Sequence, residues 1–127
     1  MDNILLDTDI LIDASRGRVE AFDFFKKLEG QVVFVSDLSY AELLMGAKSK
    51  QEQRWVDIFL QRFNRLAPDA LVSERALDII KRYSLAQGVG IIDAYIAATA
   101  LEYDLFLFSR NKKHFKPIKG LHFEEPY

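Results

Sequence analysis

Asn3-Ile-Leu-Leu-Asp-Thr-Asp-Ile-Leu-Ile-Asp-Ala-Ser15 is the stretch that decides the fold. Asn3 to Leu6 is short, apolar and strand-like, and it ends on the polar cluster Asp7-Thr8-Asp9. A short helix, Ile10 to Ser15, follows and is broken around Gly17. The same alternation continues along the chain. Val19 to Leu28 reads as a helix with Val19, Phe22, Phe25 and Leu28 at helical spacing, and Val32 to Val35 as a β-branched strand. Ser36 is placed to cap a helix over Asp37 to Ala47. Gln51 to Phe63 is a helix striped by Trp55, Val56, Phe59, Leu60 and Phe63. A short strand fits at Arg65 to Ala67. Ser73 to Gln87 reads as a helix with Ala76, Leu77, Ile80 and Tyr83 inward, ended by Gly88 and Gly90. Ile92 to Tyr103 is a small-residue helix, Leu105 to Phe108 an all-apolar strand, and Leu121 to Phe123 a last edge strand. Strands separated by helices imply parallel pairing with helices on both faces. The expectation is a three-layer α/β/α sandwich with a central parallel sheet, as one domain over residues 1–127.

The 127 residues, half of them hydrophobic, suffice for one buried core and are too few for two. Seventeen Lys and Arg against nineteen Asp and Glu leave a net charge of −2, so no global basic field marks a nucleic-acid binder. With no cysteine, disulfide scaffolds, thiolate zinc sites and cysteine nucleophiles are all excluded. The two histidines, His114 and His122, are too few for the usual histidine-rich zinc centres. No apolar run approaches the ~18 residues of a membrane span, and MDNILLDTD lacks the basic and apolar regions of a signal peptide. A cytoplasmic protein is expected. Any chemistry must run mainly on carboxylates.

In an open parallel sheet, ligands gather beyond the carboxyl ends of the strands. Three expected strands end there in polar residues: Asp7-Thr8-Asp9, Ser36-Asp37 and Ser109-Arg110-Asn111. Polar strand ends are common, because loops are solvated. Glu42 says more, since its helical neighbours Leu38, Ser39, Met45 and Gly46 suggest an apolar stripe, where a carboxylate needs a compensating cation. A Lys or Arg partner would serve, and so would Mg²⁺. Asp93 opens a helix, where capping alone would explain it, yet it is inserted between Ile91-Ile92 and Ile96-Ala97. Asp7 directly follows Ile4-Leu5-Leu6. Three acids brought together repel one another, and oxygen-rich sites of this kind suit Mg²⁺ or Mn²⁺. Water with its pKa lowered by such a cation can attack a phosphodiester, with no serine or histidine nucleophile needed.

Four runs carry a resemblance: LLDTDILID from Leu5, VSDLSYAELLMGA from Val35, IIDAYIAATALEYDL from Ile91 and FSRNKKHF from Phe108. In this order and spacing, spanning Ile4 to Phe123, the chain resembles a PIN domain, most closely the VapC-type toxins of prokaryotic toxin–antitoxin pairs. The resemblance implies a Mg²⁺- or Mn²⁺-dependent endoribonuclease, with Asp7, Glu42 and Asp93 as the catalytic, metal-binding acids. Thr8 and Asp9 would orient the first acid, and Ser109 and Asn111 would line the same pocket. The usual partner is a VapB antitoxin whose extended tail lies in a groove near the active site. Many relatives carry a further Asp where this chain has Asn111 and His114, so one tight metal is expected rather than two.

Arg110, Lys112, Lys113, Lys116 and Lys119 surround Asn111. A charge run is usually a solvated face, but beside an acidic pocket it can hold phosphates, so Arg110, Lys112 and Lys113 are assigned to RNA. Phe115 within the run could stack on a base, but packing under the last strand is the preferred reading. The exposed part of the Trp55 and Phe59 stripe is expected to meet a second copy, giving a homodimer, or an antitoxin helix. Asp13 is left out of the acid pocket, facing solvent or Arg16. Asp2, Asp23, Asp57, Asp69, Asp78 and Asp104 read as solvated or turn acids. Two other functions compete. A non-catalytic module keeping the same shell would have no use for mutually repelling acids. A haloacid-dehalogenase-like phosphatase would use Asp7 as nucleophile, with Ser109 and Lys112 as candidates for its later residues, but no adjacent acidic pair follows them at a fitting place. GVGIID, Gly88 to Asp93, follows a helix rather than a strand and so is not a dinucleotide loop.

Overall fold

The computed structural model describes residues 3–127, so Asp2 lies outside the described residues. Five parallel strands form one sheet in the order β3-β2-β1-β4-β5: β1 (Ile4–Leu6), β2 (Val33–Ser36), β3 (Asn64–Leu66), β4 (Phe106–Phe108) and β5 (Phe123–Glu124). In register, Leu5 lies between Phe34 and Leu107, which makes β1 the central strand.

Alternating side chains sort the core into two layers. Ile4, Leu6 and Phe108 point to one face, under α1 (Thr8–Ser15), α2 (Val19–Lys27), α3 (Asp37–Gly46) and α4 (Lys50–Leu60). Leu5 and Leu107 point to the other, under α5 (Ala70–Gln87), α6 (Ile91–Glu102) and α7 (Lys112–Phe115). The expected three-layer sandwich is therefore the observed one. Ala94, Ala97, Ala98 and Ala100 of α6 are all buried, and their small size lets α5 pack closely against that helix. Gly88, at φ +71°, ends α5 in the left-handed conformation and turns the chain back into α6.

Several element readings move. Helix α1 starts at Thr8 rather than Ile10, so Asp7 is its N-cap residue and Asp9 lies in its first turn. Helix α4 starts at Lys50 and ends at Leu60, short of Phe63. Helix α5 begins three residues early, at Ala70, because Asp69 is not a mere turn acid: its carboxylate accepts the Val72 N–H. Leu77 is exposed rather than inward, and the buried line of α5 is Val72, Ala76 and Ile79. On α2 the inward residues are Ala21, Phe24 and Leu28, whereas Val19 and Phe22 are exposed. Helix α7 has no counterpart in the sequence reading. Ser36 does cap α3, accepting the Leu38 N–H at 3.1 Å.

Candidate active site

The carboxyl ends of β1, β2 and β4 meet in one polar pocket. Asp7 leaves β1 and is held by the backbone, its N–H donating to the Phe108 carbonyl at 3.0 Å. The residue is only 5% exposed. Ser109, fully buried at the end of β4, donates its hydroxyl to Asp7 Oδ2 at 2.8 Å and accepts the Asn111 N–H at 3.0 Å. Asp9 comes in one helical turn beside it, where Oδ2 accepts the Arg110 backbone N–H at 2.9 Å. Its Oδ1 is buried with no hydrogen-bond partner.

Burial, first, and then the charges of Asp9 and Asp93 push the Asp7 carboxyl up to about 7, against the opposing Ser109 and Thr8 hydrogen bonds. Burial likewise raises Asp9, with the Arg110 N–H pulling the other way. The pocket is thus short of positive charge.

Thr8 reaches the neighbouring helix. Its Oγ1 lies 2.7 Å from Glu42 Oε1 and 2.9 Å from Ser39 Oγ. One hydroxyl has one proton, so Thr8 donates to the carboxylate and accepts from Ser39. Glu42 itself is exposed, and Met45, one turn away, is 84% exposed. The apolar-stripe argument for Glu42 therefore fails, and its place in the pocket comes from Thr8 instead.

Asp93, in the first turn of α6, has Oδ2 2.6 Å from His114 Nδ1, and the same nitrogen is 2.8 Å from the Asn111 amide. The Asn111 group facing it is the amide nitrogen, so one ring nitrogen stands between the Asp93 carboxylate and the Asn111 amide. Sequence reasoning placed Asn111 in the pocket but gave His114 no part. It also missed Ser39, although that residue stands three before Glu42 on the same helix.

Beside the pocket, Asp13 faces neither solvent nor Arg16. It accepts the Tyr127 hydroxyl at 2.7 Å and lies 3.5 Å from both Arg18 and Arg110. Both guanidiniums lie over the Tyr127 ring, at 5.3 and 5.2 Å from its centroid. The Arg110 side chain, read as RNA-binding, is thus engaged in this brace, while Lys112 and Lys113 are exposed.

The donors are all oxygens, anionic or amide, and Asp9 Oδ1 is an orphan, so in kind they fit a hard divalent cation. Among the described residues, however, no group of three or more His, Asp or Glu side chains stands arranged to hold a metal ion. Glu42 is turned to Thr8 and Asp93 to His114.

A crevice of carboxylates at the carboxyl edge of a five-stranded parallel sheet, inside an α/β/α sandwich, defines a class. The chain belongs to the PIN domain family, whose description matches residues 4–121. Within that family it is similar to the VapC ribonucleases. It is 36% identical to ribonuclease VapC10 of Mycobacterium tuberculosis over 121 residues, covering 93% of this chain and 90% of that protein. Ribonuclease VapC1 of Methanocaldococcus jannaschii is 28% identical over 120 residues, covering 91% of this chain and 81% of that protein. Among solved structures, a toxin-antitoxin complex from Klebsiella pneumoniae matches with a TM-score of 0.83 and 31% identity, over 98% of both chains. VapBC2 of Rickettsia felis, bound to a DNA fragment from its promoter, matches with a TM-score of 0.83 and 26% identity over 96% and 97%. No helix among the described residues is long and apolar enough to cross a membrane.

Proposed function

We propose that this chain is a cytoplasmic, metal-dependent endoribonuclease, the toxin of a VapBC-type pair. The observation that carries this is Asp7: a carboxyl at the end of the central strand, buried, with Asp9 and Asp93 adding to its charge burden. Such a group is unfavourable as structure and useful as a cation ligand. The similarity to proteins named ribonuclease VapC supplies the substrate class.

Asp7, Glu42 and Asp93 would hold one Mg²⁺ or Mn²⁺, with the Asn111 amide oxygen in reserve. Bound there, the cation would lower the pKa of water and offset negative charge at the phosphodiester. The remaining roles belong to the chain. Ser109 orients Asp7, Thr8 orients Glu42, and His114 holds Asp93. Lys112 and Lys113, exposed beside the pocket, take the phosphates next to the scissile one, while Arg110 stays in its brace with Asp13 and Tyr127.

A groove of about 460 Å³ opens next to Glu42 between α1, α3 and α4, lined by Ile12, Arg16, Leu43, Trp55 and Val56 among others. It suits a VapB-like antitoxin segment with an apolar face, consistent with the antitoxin-bound state of the similar Klebsiella complex. Trp55 and Ile58 are 47% and 68% exposed on α4, a surface for a homodimer contact. A monomer by light scattering at micromolar concentration would remove the dimer.

The test is cleavage of total tRNA and a ribosomal-RNA loop panel by antitoxin-free protein, with Mg²⁺ or Mn²⁺, with EDTA, and with Asp93→Asn. Cuts at discrete sites that vanish with EDTA and in Asp93→Asn support the reading. A chain that neither cuts RNA nor binds the cation is instead a non-catalytic PIN module. Titration calorimetry gives the metal count, and two cations per chain would overturn the single-metal expectation.

A further inference from the structure

Strands β4 and β5 are parallel neighbours, so the chain between them must travel from the pocket's pole of the sheet to the opposite one. That connection carries Arg110, Lys112, Lys113, Lys116 and Lys119, and no Asp or Glu occurs from residue 105 to 123. Phe115 and Ile118, 0% and 4% exposed, fasten its inner side onto the core, which leaves all four lysines exposed. The path begins beside Asn111 in the pocket. It ends at a hollow of about 230 Å³ lined by Arg75, Asp78, Arg82, Tyr83, Ile118 and Lys119. There the Tyr83 hydroxyl accepts the Lys119 backbone N–H at 3.1 Å and fixes the turn. Arg75 is paired with Glu102 at 2.8 Å, and Arg110 is held by Asp13. Among the described residues, neither the four lysines nor Arg82 forms an ion pair.

A protein of net charge −2 thus concentrates unpaired cations in one stripe that leads away from its acidic pocket. Like charges so placed repel one another, and a bound polyanion with regularly spaced phosphates removes that repulsion. We propose that Lys112, Lys113, Lys116 and Lys119 form a phosphate track for the single-stranded RNA flanking the scissile bond, with Arg82 and the hollow as its distal phosphate site. The track rests on the ribonuclease reading, and it assigns the flank of α7, rather than the groove beside α4, to the substrate.

The test measures binding of the full chain in EDTA, where no cleavage occurs, to fluorescent uridine oligomers stepped from about 4 to about 16 nucleotides. Affinity is expected to climb with length and then level off. The double variant Arg82→Ala/Lys119→Ala should bind short oligomers like the wild type. On long ones its log–log salt slope should fall by about 0.7 for each phosphate that is no longer neutralised. Arg82→Lys/Lys119→Arg should restore the slope, which a purely structural role would leave unmoved. If the double variant and wild type share one length and salt profile while the wild type cuts RNA, the track alone is overturned. If no oligomer binds and no RNA is cut, the ribonuclease reading falls, and the track with it. If polyglutamate of matched charge competes as well as RNA does, the stripe is a surface for an acidic protein and the RNA assignment is overturned.

Discussion

Asp7 is surrounded by reasons not to be charged, and this has a measurable consequence. Its carboxyl is raised to about 7 by burial and by Asp9 and Asp93, against a value near 4 in the unfolded chain. Between these values the folded state keeps a proton that the unfolded state has released. The Asp7 contribution to stability is therefore full below about pH 4 and lost as pH rises through about 7. In EDTA, Asp7→Asn should flatten that part of the profile and exceed the wild type in stability by on the order of a few kcal/mol above neutrality. Superimposable urea midpoints for the two proteins from pH 4 to 8 would contradict it. Ser109 works the other way. Removing its buried hydroxyl strips a donor from Asp7 and an acceptor from the Asn111 N–H. Ser109→Ala should lower RNA cleavage by about 10–100-fold, the usual loss when a group that orients a metal ligand goes, and a rate within twofold of wild type would refute that role. Asp7 was legible because three apolar residues deliver it to the sheet's end. The burial argument for Glu42 failed, for it is exposed, and what ties it to the end of β1 is the Thr8 hydroxyl. The pairing of His114 with Asp93 was not legible, since it joins two helices across β4.

Individual elements were readable where local chemistry and tertiary packing agree. Ser36 caps α3 as its hydroxyl suggests, and the alanines of α6 mark a close helix contact. The readings failed where the two diverge. Pro68-Asp69 looks like a turn, yet the Asp69 carboxylate starts a helix, and the Tyr103 hydroxyl also donates to it. Leu77 and Leu85 are apolar and exposed, at 54% and 100%, so the hydrophobic pattern of α5 points to a wider face than the one it buries. Four-residue α7 is too short to show a period. The tight α6 contact yields a stability prediction. Ala97 is 0% exposed in the layer beneath α5, so leucine there must displace its neighbours. Ala97→Leu should destabilise the protein by about 1–3 kcal/mol in urea unfolding, whereas Leu85→Ala, fully exposed, should fall within about 0.5 kcal/mol. Equal midpoints for both variants would mean that α5 and α6 are less closely packed than described.

For the molecule as a whole, strand alternation announced a parallel sheet, but the order β3-β2-β1-β4-β5 follows from burial between residues far apart in the chain, which no local pattern encodes. That order matters to the site. The chain leaves β1 for β2 on one side and later returns to β4 on the other, and the crevice between them lies at the carboxyl ends, as in other open parallel sheets. Asp7 and Ser109 meet at its floor and Glu42 and Asp93 stand on helices beside it, so the proposed cation would tie separate segments of the chain together. Binding to the folded state alone adds about 2.7 kcal/mol at a hundredfold excess over Kd, which for a domain of this size is a rise in Tm on the order of 10 °C. Mg²⁺ or Mn²⁺ should therefore raise the Tm of the wild type, EDTA should reverse it, and sodium at equal ionic strength should not reproduce it. Asp7→Asn and Asp93→Asn should abolish the response, while Asp23→Asn, on the outer face of α2, should keep it. A wild type indifferent to both cations, or an Asp7→Asn variant that responds in full, would locate the chemistry away from the acids of this crevice while leaving the fold and its family membership as they are.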